Sequence, residues 1–138
     1  MHWAAQYIGK PWRLGATGPA EFDCWGLVRH VQAMHYSRPM PAIDVGHGED
    51  PVRVEKLKAL LRHSPWQRVD GPALDGDVIQ MRGADGPHVG VALEIGGAVG
   101  VLHALGNSSR PLSVVFSQDF DGLGALGFSR PIVWRHTI

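Results

Sequence analysis

The sequence predicts an α+β fold in which N-terminal helices pack on a mainly antiparallel sheet. Three observations carry this. Apolar residues recur at 24, 27, 28, 31 and 34, the spacing of a helix with one buried face. From Trp66 onward the period shortens to two, in brief β-rich segments separated by glycine or proline. The strands trail the helices instead of alternating with them, which argues against a parallel, doubly wound sheet.

In chain order, residues 2 to 8 are expected to form a short helix stopped by Gly9 and Pro11. A loop rich in Gly and Pro, "GKPWRLGATGPAEF", follows. Asp23 then stands as an N-cap, so a helix is expected from about Cys24 to Tyr36 with Cys24 in its first turn. A second helix is expected from Pro51 to His63, with Val54, Leu57, Leu60 and Leu61 facing inward. Between them "SRPMPAIDVGHGEDP" reads as an excursion within one domain. The strands are expected in "GDVIQM", "HVGVALEI", "AVGVLHAL", "LSVVF" and "GFSRPIVW".

At 138 residues the chain suits a single domain over 1–138, with enough residues to bury a core. Its 13 basic and 13 acidic residues balance to zero, which argues against an electrostatic grip on nucleic acid or an anionic membrane. One cysteine makes no internal disulfide and no thiolate cluster for zinc. The start "MHWAAQYIGKPW" lacks the form of a secretory signal, and no stretch has membrane-spanning length. Synthesis and folding in a cytoplasm, with no membrane insertion, are therefore expected.

The stretch "HVGVALEIGGAVGVLHAL" predicts a hairpin. Val89, Val91, Leu93 and Ile95 alternate with His88, Gly90, Ala92 and Glu94, so the aliphatic set faces the core and His88 the opposite side. A two-residue Gly96-Gly97 turn pairs Ile95 with Ala98, Gly90 with His103 and His88 with Leu105. His88 and His103 then share a face as diagonal neighbours. Gly90 and Ala92 are expected to keep that face clear for the helix beginning at Cys24.

Helical periodicity alone favours Cys24 as core packing, because it lies on the apolar stripe of its helix. The functional reading is a nucleophile: a helix N-terminus and a neighbouring imidazolium both stabilise a thiolate. In that reading His88 is general base and acid, and His103 orients it through its other ring nitrogen. Gly26 leaves clearance beside the thiol, and the Cys24 backbone N–H is the oxyanion donor. The chemistry is amide hydrolysis through a thioester. Metal hydrolysis is disfavoured: His30 with His35, and His47 with His63, lack the HExxH pattern and read as solvated residues.

"YIGKPWRLGATGPAEFDCWGLVRHV" resembles the nucleophile region of the NlpC-type cell-wall peptidases, and "GDVIQM…HVGVALEIGG…VLHALG" resembles the second half of their signature. The two blocks keep the family's order from Tyr7 to about Gly106. The resemblance implies a papain-like fold, a Cys24-His88-His103 catalytic triad and no cofactor or metal. Trp12 (where many members have Tyr), Asp23, Trp25 and Gly90 are the residues expected to bind substrate. The implied substrate is a peptidoglycan stem peptide, cut between D-γ-glutamate and the diamino acid. Trp after the cysteine resembles the branch in tail proteins of bacteriophages and prophages, which implies tail-tip proteins as partners and a virion-associated enzyme acting at the bacterial cell wall. Two rivals stand beside it: a non-catalytic structural protein of the tail tip, and a cysteine amidase or acyltransferase on another amide.

Overall fold

The computed structural model describes residues 2–41, 59, 61, 65–84, 86–107 and 109–137, with the Arg130 side chain excepted. A 3-10 helix, Trp3–Gln6, opens the chain, and the His2 ring nitrogen caps it by accepting from the Ala4 N–H at 3.0 Å. It is shorter and tighter than the helix expected over residues 2 to 8. Helix α1 spans Cys24–Tyr36, the bounds expected from its cap and its apolar stripe. Asp23 caps its start, and Ser37 ends it in the left-handed conformation at φ 55°. Of the second expected helix, only residues 59 and 61 are described: both are helical, Ala59 exposed and Leu61 fully buried. The rest of it lies outside the described residues, as do His47 and His63.

Among the described residues, six strands follow: β1 (Trp66–Val69), β2 (Val78–Gly83), β3 (Gly86–Ile95), β4 (Ala98–Gly106), β5 (Pro111–Ser117) and β6 (Ser129–His136). They form one antiparallel sheet in the order β1-β6-β2-β3-β4-β5. The fold is α+β, as expected. Two elements carry no clear local signal. The four residues of β1 are too few to show a period, and helix α2 (Phe120–Ala125) is a six-residue "FDGLGA" with two glycines.

The β3–β4 hairpin turns on Gly96 and Gly97 at φ 65° and 84°, the left-handed pair that a tight hairpin needs. Its register runs from Ile95–Ala98 to Val91–Leu102, matching the pairing expected outward from the turn.

Alternation along β3 and β4 divides the core in two. Val89, Val91, Leu93, Leu102 and Ala104 pack with Leu27, Val28 and Val31 of α1. Ala92 and Val101 point to the other face, into a smaller cluster with Ile79, Met81 and Leu123 of α2. This corrects one expectation. Helix α1 lies on the aliphatic face, where apolar burial is greatest, and not on the histidine face. The histidine face is covered instead, by Leu123 and Phe128 among others.

The chain start is clamped to α1 by aromatic and imidazole rings. The buried Tyr7 hydroxyl lies 2.8 Å from His35 Nε2 and 3.1 Å from His30 Nε2. Trp3 stacks on His35 with ring centroids 3.7 Å apart. Burial pushes both histidines below the ordinary imidazole pKa and raises that of Tyr7. His30 and His35 are thus bonded structural groups and not the solvated residues expected.

Candidate active site

The start of α1 is built by Asp23. One carboxylate oxygen accepts from the Gly26 N–H at 2.6 Å, capping the helix. The other accepts from the Gly15 N–H at 2.8 Å, and the Asp23 N–H donates to the Ala16 carbonyl at 3.0 Å. One residue therefore ties the preceding loop to the helix. Gly26 serves the same joint: a Cβ there would stand 1.9 Å from the Ala16 carbonyl oxygen. Its missing side chain makes room for the protein's own backbone, which corrects the expectation that it clears space for substrate.

Cys24 occupies the first turn at the boundary between core and cavity. It is 6% exposed and packs in the α1 cluster, yet it also borders a cavity of about 340 Å³. His88 and Trp12 line the same cavity. So do Phe128 and, from the β4–β5 turn, Asn107 and Arg110. The structure thus brings Cys24, His88 and Trp12 to one space. It does not bring Asp23, Trp25 or Gly90 there. Asp23 is the buried cap just described. Trp25 is buried, with its indole N–H donating to the Pro41 carbonyl at 3.1 Å. Gly90 is buried under its neighbour strand, where a Cβ would stand 2.6 Å from Val101 Cγ1 and 3.0 Å from His103 Cβ. All three lie buried beside the cavity without lining it.

Behind His88 runs a buried line of polar groups. His88 Nε2 is 2.9 Å from His103 Nδ1, and His103 Nε2 is 2.9 Å from Ser117 Oγ. His103 is fully buried, and desolvation pushes its pKa down to about 4, so it is neutral at neutral pH. Phe128 fixes the rings from outside: it stacks on His88 at 4.5 Å with planes 13° apart and meets His103 edge-on at 5.7 Å. Gly83 admits the Phe128 ring, since a Cβ there would come 2.8 Å from its edge.

Ser117 and Phe128 are the residues that sequence reasoning missed. Ser117 was legible in part, because β5 alternation puts it on the face of its diagonal neighbour His103 (Val101 pairs with Ser117, and His103 with Val115). Phe128 has no such signal and arrives through the turn after α2.

A thiol at a helix N-terminus, an imidazole on the same cavity and a neutral imidazole behind it form the parts of a nucleophilic site. Among the described residues, no group of three His, Cys, Asp or Glu side chains is placed to hold a metal ion. Against the curated proteins the chain has no match. The profile of the NlpC/P60 family matches residues 9–118, a span that takes in the α1 start, both histidines and Ser117. On that match over most of its length, the chain belongs to the NlpC/P60 family of cell-wall cysteine peptidases.

Proposed function

We propose that the protein hydrolyses the D-γ-glutamyl–diamino acid bond of peptidoglycan stem peptides, with Cys24 as nucleophile and His88 as general base and acid. The observation that supports this best is the shared cavity of Cys24 and His88, with His88 backed by His103 at 2.9 Å. Since Nε2 of His88 faces His103, Nδ1 is the nitrogen that exchanges the proton.

The reaction runs in two halves. The Cys24 thiolate adds to the scissile carbonyl carbon, and N–H groups of the first turn of α1 steady the oxyanion. The carbon–nitrogen bond breaks as His88 gives its proton to the leaving amine, which leaves a thioester. His88 then takes a proton from water, whose oxygen attacks the thioester. The carbon–sulfur bond breaks, and a carboxylic acid and the resting thiolate–imidazolium pair are left. His103 keeps the His88 ring in register throughout. The Trp following the cysteine supports placing the enzyme in a phage or prophage tail tip, among tail proteins, where it opens the wall locally.

Digestion of diaminopimelate-type peptidoglycan by wild type and Cys24→Ala, with the released peptides mapped by mass spectrometry, tests the assignment. The wild type should release peptides ending in γ-glutamate and the variant none. Equal release by both removes Cys24 from the mechanism.

A further inference from the structure

We infer that Ser117 is a positioning residue, one that holds His103 in the tautomer with its proton on Nε2. The inference rests on the reading of His88 as the proton-transferring imidazole, and it adds a residue to that reading.

The hydrogen-bond inventory of the line decides the matter. A neutral imidazole has one N–H and one lone pair, so the two ring nitrogens of His103 cannot play the same role. During turnover His88 carries protons on both nitrogens, and its Nε2–H then needs an acceptor. The atom in front of it is His103 Nδ1, at 2.9 Å. His103 must therefore present a lone pair there and carry its own proton on Nε2. That N–H points at Ser117 Oγ, 2.9 Å away, and the hydroxyl accepts it.

Without an acceptor at 117, the Nε2–H would be buried and unpaired, which favours the opposite tautomer. The opposite tautomer sets the Nδ1–H of His103 against the Nε2–H of protonated His88. Two donors facing each other discourage the imidazolium that the mechanism requires. Burial keeps His103 from escaping by taking up a second proton, since its pKa lies at about 4. Ser117 is itself buried, 8% exposed, on the covered face of the sheet, so water competes poorly for the site. Phe128 closes the outer side of both rings.

Two measurements on the full chain test this, and only one depends on activity. Long-range proton–nitrogen NMR of histidine-labelled wild type at pH 7, with His103 identified by its loss in His103→Asn, should show a protonated Nε2 and a bare Nδ1. A protonated Nδ1 overturns the inference, whatever the enzyme does to peptidoglycan. In kinetics, Ser117→Ala should lower kcat about tenfold to a hundredfold with KM changed less than about twofold. Its alkaline limb of kcat/KM should move about one unit to lower pH, because the His88 imidazolium is less well held. Ser117→Thr, which keeps the hydroxyl, should restore both. Unchanged rates and an unchanged pH profile in Ser117→Ala also overturn it. A wild type that releases no peptide sinks the proposed function but leaves the tautomer to be decided by NMR.

Discussion

Phe128 lies flat against His88, with ring centroids 4.5 Å apart and planes 13° from parallel. The stack restricts the imidazole to the orientation in which Nε2 meets His103. Truncation in Phe128→Ala should therefore lower kcat about tenfold while KM changes little. The half-buried ring should also cost about 2 kcal/mol of stability on removal. Phe128→Leu, which keeps apolar volume without a flat face, should recover the stability and only part of kcat. Steady-state kinetics with urea unfolding separate the two effects; an unaltered kcat in Phe128→Ala would contradict the role of the stack.

Acid should loosen the fold through His103. Its folded pKa of about 4 lies below the ordinary imidazole value of 6.5, so the unfolded chain binds its proton first as pH falls. The stability that His103 contributes is complete above about pH 6.5 and is lost as pH falls toward 4. The linkage is worth about 3 kcal/mol at most. Urea unfolding of wild type and His103→Asn at pH 7 and pH 4 checks the sign. The variant should lose less stability than wild type across that interval, and parallel losses would discount His103.

Gly26→Ala sets two effects against each other. Helix propensity favours alanine by about 1 kcal/mol. Steric clash opposes it, because the new Cβ would stand 1.9 Å from the Ala16 carbonyl oxygen. The clash involves backbone that Asp23 also grips, so it should win. The expected outcome is a net loss of about 2 kcal/mol, read by thermal unfolding. A more stable variant would mean that the loop yields easily.

Tyr7→Phe removes the hydroxyl shared by His30 and His35. The variant should lose about 1 to 2 kcal/mol at pH 7, since the ring nitrogens lose a buried partner. Peptidase activity should be nearly unchanged, because Tyr7 does not border the cavity. Urea unfolding and the peptidoglycan assay check the two halves separately.

What the sequence revealed and what it hid divide along a physical line. Helix α1 was legible because a cap and an apolar stripe agree within one segment. The β3–β4 register was legible because Gly96-Gly97 admits few turns. The choice of sheet face was not. Gly90 and Ala92 read as open space, whereas their smallness serves Val101, His103 and the second core layer. Asp23 and Trp25 posed a related problem: adjacency to Cys24 in sequence does not say which neighbours line the cavity. Phe128 reaches His88 from 40 positions away, and no local pattern records such a meeting.

The sheet that parts the two hydrophobic clusters also parts the site. Cys24 belongs to the layer that α1 covers, while His88 is held by the layer that Phe128 and Leu123 cover. Sulfur and imidazole are thus mounted on different layers, with the strands of the sheet between those layers. Their alignment works as a gauge of how the two layers sit. Slack in either one would first appear as slow turnover, in a protein whose melting curve still looks sound.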